Sequence, residues 1–212
     1  MSDPIVYGPA YSTYVRSARL ALEEKPVGYT LEHVGMLEGK HAEEPHASRH
    51  PFAKVPAFEH DGFTIFESGA ILRYVDQVFP GASLTPADAR RAARMNMVMG
   101  IVDNYGYPAI LGKIVWQRLV EPMLGREGDP KIVEEGLPMA GKALSVIADI
   151  KGDDAWLAGP DISLADLHLA PIMAYLSATP EAEGLLAPHP GLKDWWQAIA
   201  ARDSMLRTDP QL

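Results

Sequence analysis

The sequence predicts an α/β layer followed by an all-helical half, and three observations carry that prediction. Short strand-like runs alternate with helical patterns through the first part of the chain. The run Phe79-Pro80-Gly81-Ala82-Ser83-Leu84-Thr85-Pro86 then breaks the pattern, as a proline- and glycine-bearing linker does. Beyond it strand signals nearly vanish and helical periodicity takes over. The expected division is residues 1–80 and 87–212.

Element by element, Ile5-Val6-Tyr7 reads as a short apolar strand ended by Gly8-Pro9. Tyr14 to Glu24 reads as a helix, with Val15, Ala18 and Leu22 on one face. Tyr29 to Val34 alternates like a strand. The stretch from Gly35 to Pro51 is polar and histidine-rich without a clear period, a loop with at most a short helix. Lys54-Val55-Pro56-Ala57-Phe58 is strand-like with a proline at its middle. Proline cannot donate to a strand ladder, so it belongs at an edge, a bulge or a bend. Asp61-Gly62 is a two-residue hairpin signal, Phe63 to Phe66 returns as a strand, and Glu67-Ser68 opens a helix carrying Ile71, Leu72 and Val75. A β-α-β order followed by β-β-α is compatible with a thioredoxin-like layer.

In the second half, helices are expected over Ala87 to Gly106, over Pro108 to Leu124, and over Ile132 to Ile150 with an interruption at Gly136-Leu137-Pro138. Ser163 followed by Asp166 resembles a capping box with Asp in place of Glu or Gln. Pro171 is expected to kink the helix that follows. Leu192 to Arg202, with Trp195 and Trp196, is the last helix expected.

Composition excludes several function classes. A net charge of -9 over 212 residues argues against nucleic acid, whose phosphates need a basic face. Cysteine is absent, which removes disulfides, thiolate metal sites and a cysteine nucleophile together. No apolar run approaches the ~20 residues of a membrane span, and no basic start leads into an apolar signal segment, so a cytoplasmic protein is expected. The histidines at 41, 46 and 50 show no helical metal-ligand spacing and read as surface loop residues, so no metal is expected.

The most informative stretch runs from Ala53 to Ile71. Backbone groups freed at Val55 and the open N-terminus of the helix after Glu67-Ser68 suit a peptide-like, anionic ligand. Val55-Pro56, the hairpin and Glu67-Ser68-Gly69-Ala70-Ile71, in that order and spacing, resemble the glutathione site of the cytosolic glutathione S-transferases. Tyr11-Ser12-Thr13-Tyr14-Val15-Arg16-Ser17-Ala18-Arg19 looks like the Ser-Pro-Phe-x-x-Arg-x-Arg pattern of that family's serine-type, bacterial-like members, with Thr13 where proline is usual. Gly159, Ser163 and Asp166 resemble its core-helix capping motif. Pro190-Gly191-Leu192, Trp195 and Arg202 resemble its C-terminal signature.

The resemblance implies a thioredoxin-like glutathione-binding domain and an all-α domain forming an electrophile pocket. It implies a cis Pro56, Val55 offering its backbone to the cysteinyl part of glutathione, Glu67 and Ser68 holding the γ-glutamyl end, and Lys54 meeting the glycine carboxylate, with His41 and Lys40 in reach of the same group. Three hydroxyls compete to activate the thiol, in the order Ser12, Tyr11, Tyr7. Met99, Asp103 and Tyr107 are expected at the electrophile pocket. The implied activity is attack of bound glutathione thiolate on an apolar electrophile, a detoxification chemistry, in a homodimer with glutathione as co-substrate. The alternatives are a non-catalytic glutathione-binding or assembly module of the same fold, and a glutathione-dependent isomerase. A thiol-transferase, which needs cysteine near position 12, is disfavoured.

Overall fold

The computed structural model describes residues 2–211. The chain divides into two compact units, Met1–Thr85 together with Arg202–Leu212, and Pro86–Ala201.

The first unit is built on a four-stranded sheet of order β2-β1-β3-β4, with β1 Ile5–Tyr7, β2 Thr30–Glu32, β3 Ala57–His60 and β4 Phe63–Phe66. β1 runs parallel to β2 and antiparallel to β3, and β3 antiparallel to β4. Strand alternation puts Val6 and its partner Phe58 on one face, both fully buried. Helices α1 (Thr13–Glu24) and α3 (Ser68–Val78) complete this core with Val15, Ala18, Leu22, Ile71, Leu72 and Val75. Asp61 and Gly62 both take positive φ, 49° and 77°, the conformation that a two-residue hairpin turn matched to strand twist requires. The strand expected to run through Pro56 instead begins after it, at Ala57. A residue with no N–H can sit at the mouth of a strand without breaking its ladder.

A buried ion pair fastens the end of α1 to α3. Lys25 Nζ lies 3.0 Å from Asp76 Oδ1, with side chains 2% and 4% exposed. Lys25 also donates to the Ala82 carbonyl, and Asp76 accepts the Leu84 N–H, so the pair holds the linker as well.

The last residues pack with this first unit, and arginine chemistry explains why. Arg16, buried in α1, donates to the Met205 carbonyl at 2.8 Å and to Thr208 Oγ1. Arg19 donates to the Thr208 carbonyl. A short helix, Asp203–Arg207, follows the last one read from the sequence. Arg202 grips Glu24 with two hydrogen bonds, 2.9 and 2.6 Å, and Ser204 adds a third. Burial acts to raise the Glu24 carboxyl, but the Arg202 and Ser204 hydrogen bonds outweigh it and hold it below the usual carboxylate range. A depressed carboxyl contributes stability above its unfolded pKa of ~4.3 and loses it as pH falls through the lower folded value. The 202–211 segment is therefore expected to loosen below about pH 4, ahead of the sheet. Hydrogen exchange resolved by peptide checks this, and a segment equally protected at pH 3 and pH 6 contradicts it.

The second unit opens on a helical run that continues from Ala89 to Met123 without a break at Gly106 or Pro108. The sequence suggested two helices here. The backbone instead widens into π-helical turns over Val102–Gly106 and Ile110–Val120, where Tyr107 N–H bonds the Val102 carbonyl and Glu121 N–H the Trp116 carbonyl, five residues back. Buried Val102, Gly106, Ala109, Ile110, Ile114 and Val115 keep the run packed.

The expected interruption at Gly136-Leu137-Pro138 is also absent, since one helix spans Pro130–Lys151. A Cβ on Gly136 would lie 3.0 Å from the Ala109 carbonyl oxygen and 2.9 Å from Lys113 Cβ. The glycine therefore marks a close helix crossing rather than a helix end. The helix Leu164–Leu176 likewise runs through Pro171, and its capping box is formed by Ser163 and Asp166. No helix among the described residues is long and apolar enough to cross a membrane.

Candidate functional site

Strand register gathers the predicted residues of the first unit at one end of the sheet. Tyr7 pairs with Ala57 and Ala57 with Phe66, so the next step along the three chains brings Gly8, Pro56 and Glu67 side by side. The Val55-Pro56 bond is cis, and Val55 is buried. Gly8 makes the closeness possible. A Cβ there would sit 3.1 Å from Val55 Cβ and 2.4 Å from Val15 Cγ2, and its φ of 151° suits glycine. The backbone at Gly8 thus lies between Val55 and the first turn of α1.

That first turn carries Ser12. Ser12 is the N-cap of α1, extended at φ -69° and ψ 128°, and its Oγ accepts from the Val15 N–H at 3.5 Å. Serine caps a helix by accepting a hydrogen bond, which leaves its own proton free to donate. No acidic residue stands in the first turn of α1 to cancel the positive end of the helix. Capping and donation to a ligand are therefore compatible in one hydroxyl.

Glu67 is the N-cap of α3 at a φ of 70°, unusual for a residue other than glycine. Its carbonyl accepts from Ala70 and Ile71, no side chain caps the helix, and the Glu67 side chain is exposed, with Ser68 half-buried beside it. Strained backbone concentrates where a ligand must be met.

The tyrosines behave differently. The Tyr7 hydroxyl donates to Glu59 Oε2 at 3.1 Å, and the Arg49 guanidinium lies 4.1 Å over its ring. Burial, then the bond to Glu59, pushes the Tyr7 phenol up. Burial also pushes Tyr11 up, while hydrogen bonds with the Leu37 and Met36 backbone act against it, so this hydroxyl meets the loop after β2. Arg16 and Arg19, part of the pattern around Ser12, are spent on the C-terminal segment.

Lys54 is exposed, and its carbonyl is bonded by His46 Nε2 at 2.7 Å. His41 lies half-buried in a turn, Lys40–Ala42, where Lys40 pairs with Glu43 at 2.8 Å. His46 and His50 correct the sequence reading: both are only 3% exposed, on the short helix α2 (His46–Arg49) and just after it. Burial holds the His50 imidazole below its ordinary value, with the Glu67 carboxylate acting the other way. The ring of His50 packs on Phe66 at 5.0 Å. A patternless polar loop gave no signal of this burial.

In the helical unit, Met99, Asp103 and Tyr107 follow one another at four-residue intervals. Met99 is buried, Asp103 is bonded by the fully buried His168 at 2.7 Å, and burial pushes the Tyr107 phenol up. His168 has no signal in the sequence beyond its place on an apolar helix.

Comparison with known proteins agrees with this geometry. The model for the glutathione S-transferase N-terminal domain matches residues 3–77, and that for the C-terminal domain residues 107–203. Glutathione S-transferase F6 of Arabidopsis thaliana is 35% identical over 202 residues, covering 94% of this chain and 95% of its own. Glutathione S-transferase 4 of Zea mays is 36% identical, covering 93% and 87%. The crystal structure of glutathione transferase F7 from Populus trichocarpa superposes with a TM-score of 0.87 at 31% identity, covering 97% of each chain. A structure of glutathione S-transferase I bound with lactoylglutathione gives 0.86 at 31%, covering 98% of each. Two domain models in series and relatives matched nearly end to end show where this chain sits: it belongs to the glutathione S-transferase family.

Proposed function

We propose that this chain, acting as a glutathione transferase, binds glutathione at the sheet end formed by Val55, Pro56, Glu67 and Ser68, and that Ser12 activates its thiol. One observation carries the reading: the Ser12 hydroxyl, with its proton free, sits at the positive end of α1, and Gly8 brings that turn against Val55. A free thiol has a pKa of ~8.5 and is mostly protonated at neutral pH. A donated hydrogen bond and a helix N-terminus both favour the thiolate. The thiolate then attacks an apolar electrophile, for which the helical domain, beginning near residue 87, supplies Met99, Asp103 and Tyr107. Lys54 and His41 take the glycine carboxylate. Relatives that are named glutathione transferases, one of them seen with a glutathione conjugate of atrazine, support this chemistry. The proposal extends to a homodimer, as the resemblance implies, that is cytoplasmic and needs no metal; sedimentation tests the dimer and metal analysis the absence of a metal.

The γ-glutamyl assignment has a direct test. Glu67→Ala or Ser68→Ala is expected to weaken glutathione binding by ~1–3 kcal/mol, the contribution of hydrogen bonds to charged groups. Titration calorimetry reads this. A native protein that shows no heat of binding at millimolar glutathione sinks the whole reading, and unchanged affinity in both variants sinks the assignment. A panel of aryl halides and isothiocyanates then separates a transferase from a binding module.

A further inference from the structure

We infer that His46 is a positioning residue for the ligand-facing backbone at Val55. This rests on the proposed glutathione site and extends it to the layer behind it. His46 is 3% exposed, on the four-residue helix α2, and its Nε2 lies 2.7 Å from the Lys54 carbonyl oxygen. A carbonyl can only accept, so Nε2 carries the proton. The other ring nitrogen, Nδ1, is buried with no hydrogen-bond partner among the described residues. The imidazole is therefore a single-purpose donor. It is aimed at the peptide unit that joins Lys54 to Val55, the residue immediately before the cis Pro56.

The surrounding chain makes such a clip necessary. Between α2 and β3 the backbone turns back through Ala53, whose φ is 48° and whose N–H donates to the His50 carbonyl at 2.8 Å. Lys54 itself is exposed and lies outside the sheet, which begins only at Ala57. The hydrogen bond from His46 restrains rotation of the Lys54–Val55 peptide about the adjacent φ and ψ. Such rotation re-aims the backbone groups of Val55 that a peptide-like ligand reads. The bond from His46 fixes that plane from behind, while the packing of His50 on Phe66 and, at 6.5 Å, on His46 fixes the ring carrying it.

The consequence is a split in kinetics. His46→Phe keeps an aromatic ring of similar size and removes the donor. Its KM for glutathione is expected to rise about three- to tenfold, the cost of one hydrogen bond, with kcat at saturating glutathione nearly unchanged. His46→Gln, which restores a donor without the ring, is expected to recover part of the lost affinity. Peptide-resolved hydrogen exchange without ligand is expected to show faster exchange over residues 53–57 in His46→Phe and native exchange elsewhere in the sheet. That readout does not depend on glutathione, so it separates a failure of the clip from a failure of the glutathione reading. Native protection over 53–57 with an unchanged KM overturns the inference. So does a uniform loss of stability, KM and kcat together that Gln does not relieve, because His46 is then only a packing residue.

Discussion

Ser12→Ala is expected to lower turnover at neutral pH about 100-fold, the scale on which removing one donor to a developing or full anion acts. Binding of glutathione should be nearly unaffected, because the γ-glutamyl and cysteinyl backbone contacts do not involve this hydroxyl. The pH–rate profile should move to higher pH, as the bound thiol returns toward its free value. Two effects of the substitution must be kept apart. Ser12 also caps α1, and alanine at an N-cap costs ~0.5–2 kcal/mol of stability. Ser12→Asp separates them. Aspartate caps well and suits a helix N-terminus, but it cannot donate a proton when ionised and repels a thiolate. It should be more stable than Ser12→Ala and no more active. Tyr7→Phe and Tyr11→Phe are the controls. The Tyr7 hydroxyl donates its hydrogen bond to Glu59, so its loss should leave turnover close to native. If Ser12→Ala keeps native turnover and an unshifted profile while Tyr11→Phe collapses, the serine assignment fails and the phenol takes its place.

The site was legible in the sequence where its chemistry is local. A two-residue turn and a serine one step ahead of a helix are each written in a few adjacent residues, and the structure has both; the cis bond at Pro56 was implied by the family resemblance, and the proline stands ahead of the strand rather than at its middle. What stayed hidden depends on contacts distant in sequence. Gly136 looks like a helix breaker until Ala109 and Lys113 are brought against it, when it becomes the residue that lets two helices touch. Pro108 looks like a boundary, yet π-helical turns on either side of it carry the backbone on. His46 and His50 look like solvent-facing loop residues because no period marks them, yet both are buried, with His50 packed on Phe66 of the sheet. Arg16 and Arg19 stand beside Ser12 in sequence, but their partners lie near residue 208, and nothing local to that stretch shows what they hold. The Lys25–Asp76 pair was invisible for the same reason, its members being separated in sequence by three of the four strands.

The largest effect on stability is expected at Asp166. Its carboxylate is fully buried in the helical unit and accepts four hydrogen bonds. Oδ1 takes the Leu157 N–H at 2.9 Å and the Trp195 indole N–H at 2.8 Å; Oδ2 takes the Ser163 N–H and hydroxyl, each at 2.7 Å. Burial pushes this carboxyl up, and the four donors act against it. The acid thus ties the loop at Leu157, the start of the Leu164–Leu176 helix and the tryptophan of the Pro190–Ala200 helix to one point. Asp166→Asn preserves shape but keeps only one acceptor oxygen, and its amide must face donors on the other side. Leaving buried N–H groups unpaired costs ~1–3 kcal/mol each, so a loss of about 3–5 kcal/mol is expected. For a chain of this length that corresponds to a fall in Tm of roughly 6–20 °C. If Asp166→Asn proves insoluble, Ser163→Ala is the milder probe, removing one donor and the N-cap for about 1–2 kcal/mol. The mechanism has its own signature in a double-mutant cycle. Trp195→Phe in the native background strands one lone pair of Asp166, whereas in the Asp166→Asn background part of that partnership is already gone. The two losses should therefore sum to more than the double variant shows, with a coupling of ~0.5–3 kcal/mol. Additive losses, or an Asp166→Asn protein within 1 kcal/mol of native, would mean that the helical unit is held by its apolar core alone and that the buried acid is incidental.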